Sequence, residues 1–259
     1  MKIPSIVEML QAGVHFGHQT SRWYPKMAKY IFTERHGVHI LDLEKSQKML
    51  EETLKAVEKL AAEGKQILFV STKPQAREIV KEAAISCNMP YLTDRWLGGM
   101  LTNFAEIKKL IANYNKLKEQ QASGELEKYT KKERLEISKK LDKMDTYLGG
   151  LATLKSMPDA MFVPAVQREK TAMVEANKTG VPVIGVCDTN ANPEKVLHVI
   201  PANDDAVKSI TMIVNLVAEA AKKGAKSWEK KQSIAKKAAE AAAPKQVAKK
   251  VTPTPDQSV

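Results

Sequence analysis

The sequence predicts an α/β fold built on a parallel sheet that is covered on both faces by helices and interrupted by an inserted helical hairpin. Three observations carry this. The near-continuous apolar runs ILFV (67–70), MFV (161–163) and VPVIGVC (181–187) read as strands buried on both faces. Helical patterns alternate with them, the rhythm of parallel strands joined by crossovers. Between Asn103 and Leu148 that rhythm stops, and two Lys/Glu-rich helical stretches flank a turn at Ala122, Ser123 and Gly124.

Taken in order, Ser5 caps a short helix, IVEMLQA, in which Ile6, Met9 and Leu10 recur at helical spacing before Gly13 stops it. VHFGHQTSRWYPKM follows with no single period, and is expected to be a loop. KYIFTERHGVHIL reads as two short strands around a turn near His36 and Gly37. Asp42 precedes a helix over 44–63, with Leu43, Leu50, Leu54, Val57 and Leu60 on one side and Gly64 at its end. After ILFV, Pro74 suits the first turn of a helix that ends near Asn88, before the short strand PYLT. In the hairpin, Ile107, Leu110, Ile111, Tyr114 and Leu117 are set to pair with Leu135, Ile137, Leu141 and Met144. The pairs Gly98/Gly99 and Gly149/Gly150 are placed as its hinges. A helix over 169–179 stops at Gly180, and Asp204 or Asp205 caps another that runs to about 222. The organisation expected is a discontinuous body (1–103 and 149–223), a hairpin (104–148) and an Ala/Lys-rich tail (224–259), partly helical and disordered after Pro244.

The net charge of +11, from 41 basic and 30 acidic side chains, suggests a polyanionic partner. It is unevenly placed: residues 222–259 hold ten lysines against Glu229, Glu240 and Asp256, so the preceding residues are nearly balanced. The N-terminus lacks the continuous apolar stretch of a signal peptide, and no run approaches the roughly 20 apolar residues of a spanning helix. Cys87 and Cys187 are too sparse for a disulfide framework. A reduced, cytoplasmic setting with no membrane partner is expected.

Catalytic patterns are missing from the sequence. ILFV runs into STKPQAR rather than a glycine-rich phosphate turn, and there is no Walker loop and no GxSxG elbow. Neither an enzyme nor a small-molecule substrate is expected, and no cofactor is required. One candidate metal set remains. His18, near His15, and the strand-end or helix-end residues Asp188, Asp204 and Asp205 would converge at one sheet edge, where imidazole and oxygen ligands suit zinc or magnesium. The stronger signal is for RNA, in cations interleaved with planar side chains: Arg22, Trp23, Tyr24, Lys26 and Lys29, then Arg95 beside Trp96. Lys73 and Arg77 after the first buried strand, with Lys108, Lys109, Lys131 and Lys132 on the hairpin, add candidate phosphate contacts. Either tryptophan has an equal claim to be core.

Together LQAGVHFGHQTSRWYPKM, HILDLEKS, RWLGGMLTNF, LGGL, MPDAMFV, GVPVIGVCDTN and IPANDDAVKSI, in this order, resemble the bacterial small-subunit ribosomal protein S-two family over residues 5–221. The resemblance implies a flavodoxin-like, three-layer α/β/α domain with a protruding coiled hairpin. It also implies a structural role: binding small-subunit rRNA near the head and body junction, beside neighbouring ribosomal proteins, and helping to dock the mRNA-binding ribosomal protein S-one. Pro164, Ala165, Asn192 and Ala202 depart from the usual family pattern around the sheet's carboxyl edge. The alternative from another class is a flavodoxin-like metal-dependent enzyme.

Overall fold

The computed structural model describes residues 3–242, with side chains as far as Ser233. Helix α1 (Ile6–Gln11) opens with a reciprocal cap: Ser5 accepts from the Glu8 backbone, and the Glu8 carboxylate accepts from the Ser5 N–H. The stretch expected to be a loop instead contains strand β1 (Phe16–Gln19) and 3₁₀ turns at Thr20–Arg22 and Pro25–Tyr30. With β2 (Ile31–Arg35) and β3 (Val38–Leu41), β1 forms an antiparallel sheet in the order β1-β3-β2. No alternation marks β1, because its register against β3 is irregular and Gly17 lies close against Thr189 and the His39 carbonyl. The β2–β3 turn falls at His36 and Gly37, both in the left-handed region, as expected.

Helix α2 (Leu43–Ala62) begins at Asp42, whose carboxylate accepts from the Glu44 and Lys45 N–H groups. Strands β4 (Ile67–Val70), β5 (Tyr91–Leu92), β6 (Ala160–Val163), β7 (Val183–Cys187) and β8 (His198–Pro201) make a parallel sheet in the order β5-β4-β6-β7-β8. Pairing runs from Leu68↔Met161 through Phe162↔Ile184 to Val186↔Ile200. Side chains alternate between two cores. Leu68, Val70, Met161, Val163, Val183 and Val199 face the base of the hairpin and helix α6 (Lys170–Thr179), whereas Ile67, Phe69, Phe162, Ile184, Val186 and Ile200 face α1, α2, α3 (Arg77–Ser86) and α7 (Val207–Ala242). The result is the flavodoxin-like three-layer arrangement.

The hairpin consists of α4 (Phe104–Ala122) and α5 (Lys131–Leu148). Only its base is packed: Ile107, Ile111 and Tyr114 are buried with Leu141, Met144 and Leu148, while Leu110 and Leu135 stay exposed. Of the glycine pairs, Gly99 is in the left-handed region, but Gly150 abuts the Tyr91 carbonyl and is there for close approach. Pro74 precedes α3, which starts after Ala76.

Two expectations about α7 are corrected. The entering turn is satisfied by Asn203, whose Oδ1 accepts from the Asp205 and Ala206 N–H groups, not by either aspartate. The helix also does not stop near 222. Gly224 is a packing contact, pressed on the Glu58 carbonyl and Ala61 Cβ of α2, and α7 runs through it to Ala242. One turn on, Trp228 covers Gly64. The disorder expected after Pro244 falls outside the described residues.

Candidate nucleic-acid interface

At the carboxyl end of the sheet, five charged side chains from four segments converge. His18 comes from β1, Lys73 follows β4, Asp188 follows β7, and Asp204 and Asp205 follow β8. His18 Nδ1 lies 3.1 Å from Asp188 Oδ2 and its Nε2 lies 3.3 Å from Asp205 Oδ2. Lys73 Nζ lies 2.8 Å from Asp204 Oδ1 and 2.7 Å from Asp205 Oδ1, and also donates to the Asp204 carbonyl. The Thr189 N–H donates to Asp188, and the Thr189 hydroxyl accepts from the His18 N–H at 2.9 Å, which ties β1 to the end of β7.

Burial sets the electrostatics. It pushes the Asp204 carboxyl above its ordinary value, reinforced by the neighbouring Asp188 and only partly opposed by Lys73. The hydrogen bond to Asp188 raises His18 against the opposing effect of burial. Burial alone would lower Lys73, but Asp204 and Asp205 outweigh it and hold the ammonium protonated. The predicted set of His18, Asp188, Asp204 and Asp205 is therefore brought together, with donor atoms within 4.8 Å of one another. Lys73, expected to reach outward to phosphate, is instead the cation inside this cluster, and its side chain is 12% exposed.

The other predicted contacts divide into free and engaged groups. Arg22 and Lys29 are exposed, with the Lys29 ammonium 4.8 Å from the Tyr30 ring. Trp23 is exposed beside His39, ring centroids 5.3 Å apart. Arg95 is exposed over the Tyr147 ring, 6.0 Å from its centroid, and Lys108, Lys109, Lys131 and Lys132 are exposed on the hairpin, with Lys109 bound to Glu106. Lys26 pairs with Glu194. Arg77 donates to the Thr72 and Asp94 carbonyls. Trp96 is half-buried and donates its indole N–H to Glu175 at 2.9 Å, so it is a strut for the turn before the hairpin and not a free stacking face. Sequence reasoning missed Phe16 and Phe32, exposed aromatics of the small sheet. A signal existed in β2, where period-two alternation puts Phe32 on the face opposite Ile31.

These features define a class: a three-layer α/β protein with an inserted helical hairpin, whose sheet-end charges pair with one another and which exposes cations and aromatics around the small sheet and cations on the hairpin. A family model described as Ribosomal protein S2 matches residues 9–224. The chain belongs to that family, and is therefore a structural protein of the small ribosomal subunit acting in translation. The family is not one of enzymes and needs no cofactor. Among the described residues no helix is long and apolar enough to cross a membrane.

Proposed function

We propose that this chain, bound to ribosomes in the cytoplasm, contacts small-subunit rRNA near the junction of head and body and helps to dock the mRNA-binding ribosomal protein S-one. The observation that supports this is the separation of charges. His18 and Lys73 are spent on Asp188, Asp204 and Asp205, whereas Arg22, next in sequence to the exposed Trp23, and Lys29, over the Tyr30 ring, are exposed without a carboxylate partner. Free cations fix the position of phosphates, and flat side chains stack on unpaired bases. Lysines along α4 and α5 extend the same chemistry beyond the body. Gradient co-sedimentation of the full chain with small subunits tests this: association should weaken steeply as salt rises, because neutralised phosphates release counterions. Sedimentation only as free protein at low salt would refute it.

A second reading, that a zinc or magnesium ion is held at the sheet-end cluster, would use the same four donors. It would have to displace Lys73 from Asp204 and Asp205. Calorimetric titration with either ion tests this, and absence of heat at millimolar ion dismisses the metal.

A further inference from the structure

A cavity of about 460 Å³ opens between the start of α6 and the segment that follows β7. It lies apart from the acidic cluster, and none of the RNA contacts expected from the sequence lines it except Tyr24. Its floor is apolar: Val166 and Met173 are buried, and Tyr24 forms part of the wall. Asn190 lines it too, with its side-chain oxygen buried and without a partner. A buried polar group of this kind is destabilising unless a ligand completes it. Lys170 in the first turn of α6 and Lys195 on the far side flank the mouth, and neither makes an ion pair. The nearby carboxylates are already committed, Glu194 to Lys26 and Glu169 to the Thr72 N–H. The mouth therefore carries two exposed lysines, the floor is apolar, and one wall holds Asn190 with its side-chain oxygen unpaired.

We propose that this cavity receives a single unstacked nucleotide of RNA, a site that rests on the RNA-binding reading above. The base lies on Val166 and Met173 against Tyr24, and the Asn190 amide pairs with its edge, where donors and acceptors sit adjacent. Lys170 and Lys195 hold the phosphates on either side of the extruded nucleotide. All four bases present such an edge, so the site selects for a base free of its stack rather than for sequence. Duplex RNA cannot supply one without unpairing. The size suits this occupant, because cavities of about 300–1,000 Å³ enclose ligands of nucleoside size and above.

The test uses the full chain and two fluorescently labelled single-stranded RNA octamers, one intact and one with abasic central nucleotides that keep every phosphate, followed by anisotropy across a salt series. The intact octamer should bind about tenfold more tightly at each salt concentration, within the range for stacking of one base. The two salt slopes should coincide, since the phosphates are the same. Asn190→Leu should lose a similar factor on the intact octamer and nothing on the abasic one, with thermal melting as the check on folding. Lys195→Ala, at an exposed position, should weaken both octamers and make the slope shallower. Equal affinity of the parent chain for the two octamers, with a steep salt slope, overturns the cavity and leaves the RNA reading standing. No binding of either octamer defeats both.

Discussion

Replacing Glu175 with alanine should destabilise the protein by about 3 kcal/mol and free the root of the hairpin. Glu175 lies on α6 and is 8% exposed. Its Oε1 accepts from the Trp96 indole and the Gly99 N–H, each at 2.9 Å. Its Oε2 accepts from the Leu101 N–H at 3.1 Å and from the Thr102 N–H and hydroxyl at 3.2 Å. These donors belong to the irregular segment between β5 and α4. Burial alone would raise the Glu175 carboxyl, but the Trp96 and backbone hydrogen bonds outweigh it and hold it below the ordinary glutamate range. Each donor left buried without a partner costs about 1–3 kcal/mol. If water reaches most of them and one or two stay dry, the sum is about 3 kcal/mol, or roughly 6–12 °C in melting temperature for a chain of this size. Glu175→Gln keeps one acceptor oxygen but turns an NH₂ group toward donors, so it should recover little. Because the folded carboxyl is more acidic than the unfolded one, its contribution is present above about pH 4.3 and lost as pH falls through the lower folded value. The gap between parent and variant should narrow in that window. Thermal melts with limited proteolysis of the Leu97–Asn103 segment provide the readout. A Glu175→Ala variant within about 1 kcal/mol of the parent, or a Gln variant equal to it, refutes the reasoning.

Two further outcomes can be measured on the purified chain. His18 is raised by its bond to Asp188, so its contribution is complete below about pH 6.5 and disappears as pH rises through the folded value. In urea titrations His18→Asn should cost roughly 1–2 kcal/mol at pH 6 and clearly less at pH 9, and equal costs would contradict the ion pair. Gly224→Ala sets two effects against each other. Helix propensity favours alanine by about 1 kcal/mol, but its Cβ would sit against the Glu58 carbonyl and 2.6 Å from Ala61 Cβ, where overpacking costs about 1–3 kcal/mol. A lower melting temperature is expected, and a rise would mean that α7 does not pack on α2 this closely.

The parts of the fold legible in the sequence were those with a strong one-dimensional signature. Strands β4, β6 and β7 are buried on both faces, so they appear as unbroken apolar runs. Strand β8 is as long as β4 and β6 but lies at the sheet edge, begins at half-exposed His198 and ends at Pro201, so its apolar run is too short to stand out. Gly224 has the local chemistry of a helix stop, and only the approach of α2 makes it a contact. The acidic set was found because strand ends in an open α/β sheet converge on one edge. Lys73 was placed at the right end of the right element but aimed outward, and Trp96 was left open between stacking and core. What turned them inward was Asp204 and Asp205 for Lys73, and Glu175 for Trp96, all distant in sequence.

This inward pairing matters for how the chain meets a polyanion. The body is nearly balanced in charge, and Lys73 and Lys26 are committed to carboxylates within it, Lys73 behind a low exposure. Each phosphate contact contributes close to one unit of salt slope, so the slope counts the cations that are free and not the cations in the sequence. A reading of net charge alone would assign affinity to the lysine-rich terminal segment and little to the body. Under the proposed reading the body would rely instead on a few exposed cations, Arg22 and Lys29 among them, and on exposed Trp23, Phe16 and Phe32, the last two on a small sheet that the His18–Thr189 bond fastens to the end of β7. Such a surface depends on the relative positions of its groups more than on their number. The His18 side chain, between Asp188 and Asp205, ties β1 to the same sheet end, so the ion cluster helps to hold that surface in place.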